Sequence, residues 1–516
     1  MRHKKVVVVG AGINGLVAAN YLARAGCDVT VIEKADHVGG ACVSAMAEVG
    51  GVQQNYALGA SVLGLMQDYV FRETGLKDRL KTFVPTHPKA IFFPGDTAPT
   101  WIYRDPADLD RELADKWGER GKVEAFRADE SRVVDYLQRG YRDGIAPSLA
   151  DAQAVLGQTL TKLWISGSAK DLLDHYLTSE RAKMYMAMTV TESGPVSLSD
   201  PYSAFTLPMM DSGSIFDGYY GFVEGGIWRI TEELGRLNTE AGIITHLSST
   251  IADIDTGAGK VHFETGGVDH TVEYDQLVLA TDPVTASKLV GTKAEVATTG
   301  KLKFRGSSGK LNLMFKNPVR WKHRTDAGDN DTAFRFLFLV NSIEEFEQAT
   351  LKVLDDDVDY EPGYMQIYCE GGAMRQLNYR EPFDRLAIFF KNFSLGKGGE
   401  ALPEVEQQAK ETVLNYIENP EDCVWSRLLT PKNLQEIFHF PGGNLDHTLL
   451  TGGQTFADRT HSTDPATGFY TYGGHSNVYM CAAGSYPCGS VAGTPGYMCS
   501  QQMLRTMPNG KPLVSR

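Results

Sequence analysis

Three glycines and one glutamate near the N-terminus have the spacing of a dinucleotide-binding site. Gly10, Gly12 and Gly15 directly follow the apolar run Val6–Val9. Glu33 comes about 20 residues after them, where an acid can accept hydrogen bonds from a ribose. Gly10 lets the chain turn sharply, Gly12 has no Cβ to keep a pyrophosphate away, and Gly15 lets the next helix lie close to the strand. The spacing therefore predicts that the chain binds a dinucleotide.

The flanking residues predict the elements that such a site needs. The β-branched run Val6–Val9 is typical of a strand buried on both faces of a parallel sheet. Apolar residues recur at helical spacing over Leu16–Ala25, and Gly26 stands where that helix should end. Val29–Ile32 predicts the second strand, and the start of the intervening helix offers free N–H groups to phosphates. The acid Glu33 argues against the 2′-phosphate of NADP, so FAD and NAD remain.

A glycine pair after the second strand helps to separate these two cofactors. Gly39 and Gly40 precede Ala41 and Cys42, and they allow the second close approach of the backbone that a longer ligand needs. NAD enzymes with two simple βαβ units do not need this pair, so its presence favours FAD. Disulfide reductases that begin in this way carry a cysteine pair, whose second member would fall here at Ala47. Cys42 is therefore interpreted as a packing residue.

Composition narrows the class of protein. The chain has 516 residues, which predicts about two to three domain-sized units. Its net charge of −14 and pI of about 5.4 argue against a nucleic-acid partner. Seven scattered cysteines without metal-ligand spacing predict no metal site and favour a reducing, cytoplasmic location. No segment approaches the ~20 apolar residues of a membrane span, whereas peripheral membrane contact and homo-oligomerisation stay open.

Changes of character along the chain predict an α/β fold with two discontinuous domains. Residues 1–81, 215–293 and 447–516 are assigned to an FAD-binding, Rossmann-like domain of the glutathione reductase type. Residues 82–214 and 294–446 are assigned to an inserted α+β substrate domain. A predicted strand, turn and helix start near the C-terminus would return the chain to the cofactor.

Local patterns locate elements inside the two inserts. The predicted helices are Arg127–Leu137, Ala152–Leu163 and Ala169–Met188. The predicted strands are Lys310–Phe315, Phe334–Val340 and Leu386–Phe393. The acidic run Asp355–Asp359 is interpreted as a solvated loop.

Several stretches spread over almost the whole chain resemble one superfamily. They are GAGINGLVAANYLARAG, EKADHVGGAC, SAKDLLDHYLTSERAKM, GYYGFVEGGIW, YDQLVLATDP, PGGNLDH and YMCAAGSYPCGSVAGTPG. Together they are similar to the phytoene desaturase and flavin amine oxidase superfamily. Within it, the chain resembles the branch called pyridine nucleotide-disulfide oxidoreductase domain-containing protein 2, a name that its cysteines do not support.

The resemblance implies which residues hold FAD. Gly10, Gly12 and Gly15 would hold the pyrophosphate, Glu33 the adenosine ribose, Gly40 and Ala41 the phosphate and ribityl region, Ile251 the adenine edge, and Gly484 and Ser485 the ribityl chain or ring. Asn14, Lys34, Gly493 and Thr494 complete the implied set. Cys488 departs from the glycine that is usual in the branch.

Candidates for catalysis and substrate binding come from this resemblance for Lys310 and from residue type for the others. Lys310 falls on a strand where flavin amine oxidases place a lysine that holds a water at the flavin. His439 is a candidate general base, as is the nearby His447. Tyr220, Phe222, His439 and Tyr470 are candidates for the wall of a substrate cavity.

The predicted activity is removal of a hydride from a small or medium-sized apolar molecule, which turns C–C into C=C. A flavin amine oxidase that turns C–N into C=N, with dioxygen as acceptor, is the alternative that Lys310 favours. A non-catalytic flavin-binding protein and a redox-neutral isomerase are further alternatives. The electron acceptor stays open between dioxygen, a quinone and a protein.

Overall fold

The computed structural model describes most of the chain. The described ranges are 4–87, 89–192, 194–323, 331–354, 360–361, 363–393 and 403–507. The acidic run Asp355–Asp359 lies outside them.

Nineteen strands are numbered in chain order. They are β1 (Lys5–Val9), β2 (Asp28–Ile32), β3 (Ser44–Val49), β4 (Val52–Ala57), β5 (Thr82–Phe83), β6 (Lys89–Phe92), β7 (Thr100–Ile102), β8 (Phe222–Val223), β9 (Ile244–His246), β10 (Ser249–Asp255), β11 (Lys260–Thr265), β12 (Val268–Glu273), β13 (Gln276–Leu279), β14 (Gly309–Phe315), β15 (Phe334–Phe338), β16 (Tyr364–Tyr368), β17 (Asp384–Phe390), β18 (Cys423–Leu429) and β19 (Val478–Met480), counted over the described ranges.

The α-helices of the same ranges are numbered likewise. They are α1 (Ile13–Arg24), α2 (Asp68–Glu73), α3 (Pro106–Trp117), α4 (Val123–Asp143), α5 (Leu149–Leu156), α6 (Gln158–Thr161), α7 (Ala169–Tyr176), α8 (Glu180–Ala187), α9 (Thr206–Met210), α10 (Arg229–Glu240), α11 (Pro283–Val290), α12 (Lys293–Thr299), α13 (Ile343–Leu354), α14 (Glu370–Gln376), α15 (Pro403–Leu414), α16 (Pro431–Phe438) and α17 (Thr494–Thr506). None of these described helices combines the length and the apolar character that crossing a membrane requires.

A five-stranded parallel sheet carries the N-terminal glycine turn. Its order is β19-β13-β1-β2-β9, so the first strand lies at the centre and the last strand of the chain lies at one edge. Val8 pairs in register with Val31 on one side and with Val278 on the other. Because both faces are covered, Val6–Val9 are at most 4% exposed. The mixed architecture is the α/β fold that the sequence predicts.

A second, seven-stranded sheet combines strands from both predicted inserts. Its order is β18-β14-β17-β16-β15-β6-β7. Strands β6 and β7 come from residues 82–214, and the other five come from residues 294–446. The two groups join through the parallel pair β15 and β6, in which Phe336 lies beside Ile91.

Two of the predicted helices are interrupted. The pattern over Ala152–Leu163 predicts one helix, but Gly157 has φ 82° and separates α5 from α6. The pattern over Ala169–Met188 is likewise divided where Leu177 becomes extended, with ψ 147°. Amphipathic spacing continues through both breaks, which explains why periodicity does not show them.

Candidate functional site

One cavity of about 740 Å³ runs along the carboxyl ends of the parallel strands. Its outer end is lined by the exposed residues Lys34, His37 and Thr250. Its far end is mostly buried. A long ligand would therefore have one end near solvent and the other inside the protein, in a cavity of the size that cofactor sites have.

Each of the three N-terminal glycines is favoured at its position for a different structural reason. Gly10 has φ 101°, and a Cβ there would lie 2.8 Å from the carbonyl oxygen of Ala280. A Cβ on Gly15 would lie 2.2 Å from the carbonyl oxygen of Gly10, so this glycine allows the helix to pack on the turn. A Cβ on Gly12 would meet a single atom of the described residues within 4.0 Å, the Cα of Gly40. Gly12 therefore faces open cavity rather than protein.

Two further elements complete this part of the wall. Gly12 and Gly39 form a parallel bridge, which brings the second glycine pair beside the first turn. Gly40 and Ala41 both line the cavity. Asn14, in the first turn of α1, also lines it, and its buried Oδ1 has no hydrogen-bond partner among the described residues.

Glu33 lies where β2 ends and contributes to the outer part of the cavity. Its carboxylate accepts hydrogen bonds from the backbone N–H of Ala11 at 2.6 Å and of Ala35 at 2.9 Å. These bonds hold the acid next to the glycine turn. Lys34 and Ile251 line the same region, as the sequence predicts for the adenosine end.

The C-terminal segment reaches the cavity through residues other than the predicted ones. The lining that the described residues form does not include five of the predicted cofactor residues, namely Gly15, Gly484, Ser485, Gly493 and Thr494. The lining from this segment consists instead of Ala482, Ala483, Gly489, Ser490 and Val491. The reason is the long connection between β19, which ends at Met480, and α17, which begins at Thr494. This connection is an irregular loop, whereas the prediction assumed a short turn.

Strained backbone marks that loop. Ser490 and Val491 have φ of 54° and 58°, in the left-handed region that a β-branched residue rarely adopts. Both residues line the cavity. Gly493 then begins α17, whose Gly496 packs so closely on α1 that a Cβ would lie 2.1 Å from the carbonyl oxygen of Asn14. The start of α17 is thereby fixed against the start of α1.

Lys310 lies one layer behind the cavity wall. It is fully buried on β14, and its Nζ donates to the carbonyl oxygen of Gly59 at 2.6 Å and to Ser61 Oγ at 2.5 Å. Gly59 and Ser61 line the cavity. Burial lowers the pKa of Lys310 from 10.5 to about 7, although the charge of Glu370 opposes this effect.

The two candidate histidines have different surroundings. His439 is exposed at the rim of the cavity, where it ends α16 with φ 58°. His447 lies inside, and its buried Nδ1 has no partner within the part of the chain that the structure describes. Burial lowers the pKa of His447 to about 4, against the opposing charges of Asp282 and Asp446. Of the two, His447 is the histidine that faces the cavity interior.

Only one of the three predicted aromatic wall residues reaches the cavity. Tyr220 lines it and donates its hydroxyl to the carbonyl oxygen of Met210 at 3.1 Å. Phe222 packs against Phe334, with ring centroids 5.0 Å apart, and Tyr470 donates to the carbonyl oxygen of Tyr486. Phe222 and Tyr470 are core aromatics outside the lining of described residues, so their predicted contact with substrate is corrected.

Sequence reasoning missed most of the buried end of the cavity, which we call the inner chamber. It is lined by Glu192, Met210, Tyr220, Gln366, Tyr368, Phe389 and Lys391. The sequence gives one indication of the chamber. Lys391 directly follows the apolar strand residues Phe389 and Phe390 and comes before Phe393. A buried lysine of this kind needs a partner or a function.

Polar groups in the inner chamber form a connected chain. Tyr368 donates its hydroxyl to Gln366 Oε1 at 2.6 Å, and the Gln366 side chain in turn acts to lower the pKa of Glu192. The Lys391 ammonium donates to the Glu192 carbonyl oxygen and, at 2.5 Å, to Ser308 Oγ. Burial raises the pKa of Glu192 and lowers that of Lys391 to about 8, although each charge opposes the effect on the other.

Cys42 is part of the lining but has no redox partner. Its thiol donates to the carbonyl oxygen of Ile227 at 3.3 Å. Burial raises its pKa to about 12, so it stays a protonated packing group.

Comparison with known proteins identifies a related group. The model of the family described as flavin containing amine oxidoreductase matches residues 13–355. The pyridine nucleotide-disulfide oxidoreductase domain-containing protein 2 of Rattus norvegicus is 23% identical over 98% of this chain and 94% of its own. The 4,4′-diapophytoene desaturase of Staphylococcus aureus is 26% identical, over 48% of this chain and 49% of its own.

A solved structure shares the fold. Cyclohexylamine oxidase from Brevibacterium oxydans superimposes with a TM-score of 0.59 over 97% of this chain and 98% of its own, at 12% identity. An identity that low supports a common fold, and it does not transfer the substrate.

Proposed function

The chain belongs to the flavin-containing amine oxidoreductase family, and we propose that this FAD-dependent member removes a hydride from carbon to turn C–C into C=C. Membership implies a small-molecule substrate and an electron acceptor. FAD, when bound, supplies the two-electron acceptor site, while the protein supplies orientation and a dry environment. The substrate that we propose is a small or medium-sized, mainly apolar molecule.

The residues of the outer cavity fit FAD. The space in front of Gly12 lets a pyrophosphate approach the backbone, and α1 begins there without a side-chain cap. Asn14 lines the cavity at the same turn, and its side-chain amide can donate an N–H to the same group. We assign the pyrophosphate to Gly10, Gly12, Asn14 and Gly40, with Gly15 acting through packing. A separate group of residues, Glu33, Lys34, Ile251 and Ala41, would hold the adenosine and ribityl parts.

One observation carries the proposal of an enzyme rather than a flavin carrier. The cavity continues beyond the cofactor residues into the inner chamber, where a substrate can lie against the buried end of the cofactor. Met210, Tyr220 and Phe389 give this chamber an apolar and aromatic wall. Such a wall orients a substrate carbon and excludes water from the hydride that leaves it.

Amine oxidation is the second candidate, and the position of Lys310 supports it. The ammonium lies behind Gly59 and Ser61, and burial lowers its pKa to about 7, so it is partly neutral at physiological pH. From behind this wall, the amine can hold a water or dioxygen beside the cofactor only through Ser61 or after a shift of its own side chain. If Lys310→Met leaves reoxidation by air and turnover unchanged, Lys310 has no such role.

Anaerobic reduction of the flavin tests the proposed reaction. The holoenzyme would be mixed with saturated carbonyl compounds, secondary amines and polyenes while flavin absorbance is recorded. We expect bleaching by a substrate whose product carries a new C=C bond, identified by mass spectrometry, and slow reoxidation when air is admitted. Bleaching by amines alone, with rapid reoxidation and peroxide, would establish the second candidate instead.

Two other results would reject oxidation altogether. Absence of bleaching across the whole panel would favour a non-catalytic flavin-binding protein. Product formation without consumption of any acceptor would indicate a redox-neutral isomerase.

A further inference from the structure

The inner chamber contains an acid and a base that the binding of FAD does not require. Glu192 and Lys391 both line it, whereas the cofactor residue Lys34 is exposed. Lys391 is 1% exposed, and it lies between two acids, Glu192 and Asp446. Asp446 is occupied, because its Oδ1 accepts from the backbone N–H of Gly489 at 2.6 Å. Glu192 is the other acid that lines the cavity, and we take it as the candidate base.

The neighbours of Glu192 favour a charged and oriented carboxylate. Tyr368 donates to Gln366 Oε1, and the Gln366 side chain acts to lower the pKa of Glu192, against the effect of burial. An acceptor held in this way has a fixed orientation and a free lone pair for a further proton. The amide of Gln366 cannot take that proton on, so it orients the carboxylate without competing with it.

Lys391 has two of its three N–H donors assigned. One reaches the Glu192 carbonyl oxygen and one reaches Ser308 Oγ, and the ammonium also lies 6.0 Å from the centre of the Phe389 ring. The third donor is available to an acceptor atom in the chamber. A substrate with an oxygen atom satisfies it, whereas a pure hydrocarbon leaves it without a partner at a cost in binding.

We propose, building on the function proposed above, that the substrate is a saturated carbonyl compound, with Glu192 as the catalytic base and Lys391 as the hydrogen-bond donor to the carbonyl oxygen. The reason is chemical. A carboxylate is too weak a base for an ordinary C–H bond, but it can take a proton from the carbon next to a carbonyl group when the oxygen is stabilised. The two side chains supply both requirements.

The step balances in atoms and electrons. The Cα–H bond breaks, its proton forms an O–H bond on Glu192, and its electron pair is shared with the carbonyl oxygen beside Lys391. A hydride leaves Cβ for FAD, and the electron pair from Cα forms the C=C bond. The substrate loses two electrons, FAD gains them, and the proton on Glu192 returns to solvent after the product leaves.

Exchange of hydrogen at Cα tests the proton step alone. Cyclohexanone, 2-decalone and an octanoyl thioester would be incubated in D₂O with holoenzyme whose flavin has first been reduced by dithionite. Reduced enzyme cannot accept a hydride, so deuterium enters only by removal and return of the Cα proton. Mass spectrometry would measure this incorporation above the rate without enzyme.

We expect at least one of these probes to exchange, and we expect specific losses in variants. Glu192→Gln should lower exchange by about 100-fold or more. Lys391→Met should lower it by about 100-fold, as removal of an oxyanion donor does. Glu192→Asp keeps a carboxylate and should retain measurable exchange, which guards against a variant that only misfolds. Flavin absorbance would confirm that each variant retains its cofactor.

Glu130→Gln is the matched control. Like Glu192, Glu130 is a buried glutamate, and burial raises its pKa to about 8. Unlike Glu192, it is paired with Arg127 and does not belong to the cavity lining that the described residues form. We expect exchange within about twofold of the parent chain, since surface and remote changes act weakly on a site.

The results separate this inference from the function on which it rests. Exchange that is lost in Glu192→Gln supports the inference. If, in addition, no probe bleaches the oxidised flavin, the proposed oxidation is rejected while the inference about the proton step stands. No exchange with any of the three probes overturns the inference, and so does exchange in Glu192→Gln at the rate of the parent. If polyenes or amines bleach the flavin while no carbonyl probe exchanges, oxidation stands and the assignment to carbonyl compounds falls.

Discussion

The buried charge of Lys310 leads to a measurable dependence of stability on pH. Its side chain is completely buried, and burial lowers its pKa from 10.5 to about 7. A pKa that is lower by about 3.5 corresponds to a cost to the folded state of about 5 kcal/mol at pH 7. Lys310→Met removes this cost. It also leaves the carbonyl oxygen of Gly59 and the hydroxyl of Ser61 without a donor, at about 1–3 kcal/mol each.

These opposing terms make the variant more stable than the parent chain by about 1 kcal/mol at pH 7. Between pH 7 and the unfolded pKa of 10.5, folded Lys310 binds fewer protons than unfolded Lys310. The stability of the parent therefore rises with pH in this window, by about 1.4 kcal/mol per pH unit, and is lost again as the pH falls towards 7. The variant lacks that gain. At pH 9 we expect it to be less stable than the parent by about 2 kcal/mol.

Urea unfolding at pH 7, 8 and 9 would measure the difference, with FAD at one saturating concentration and tryptophan fluorescence as the signal. Lys116→Met, at a solvent-exposed position of α3, controls for the loss of one positive charge. Its effect should stay within about 0.5 kcal/mol at every pH. A difference between Lys310→Met and the parent that does not change with pH would refute the assignment of a lowered pKa to Lys310.

Three further substitutions test the assignments along the cavity. Gly12→Ala should weaken FAD binding by at least about tenfold because its Cβ enters the space in front of the turn, whereas Gly140→Ala, in the last turn of α4, should leave the flavin content of the purified protein unchanged. Glu33→Gln should raise the Kd for FAD by about tenfold in a fluorescence titration, and an unchanged Kd would argue against a ribose contact. His447→Gln should slow anaerobic flavin reduction while His439→Gln, at the exposed rim, should not; equal effects would show that burial does not distinguish these histidines.

The cofactor part of the fold could be predicted because its determinants are local. Gly10, Gly12 and Gly15 lie within six residues, and their spacing shows in the sequence even though Gly10 is also restricted by the distant Ala280. The order strand, turn, helix and strand then follows from apolar runs of the right length. Even the more distant Gly40 is placed by its spacing after the second strand, since it must lie opposite Gly12 to make room for a long ligand.

The C-terminal contribution was harder to predict. A strand followed by glycines does occur there, at Val478–Met480, but the chain takes an irregular path before α17 begins at Thr494. Residues of this loop, including Val491 with φ 58°, line the cavity in place of Gly484. Left-handed backbone at a valine is imposed by tertiary contacts, so residue type gives no indication of it.

The inner chamber could not be predicted, because three distant segments build it. Glu192 follows the helices of the first insert, Tyr220 belongs to the segment after that insert, and Gln366 and Lys391 belong to the second sheet. No spacing in the sequence relates positions so far apart. The sequence also could not distinguish His439 from His447 by burial, since burial depends on which elements cover each residue.

The two parts of the cavity are constrained in different ways. The residues assigned to FAD lie near the N-terminus and, at Ile251, in the segment between the inserts. The inner chamber draws most of its wall from the inserts, whose sequence is constrained only by the need to fill a core around it. On the proposed function, the substrate therefore depends on what stands at positions such as 192, 366 and 391. An acid, an amide and an amine at those three positions favour a substrate that carries an oxygen atom.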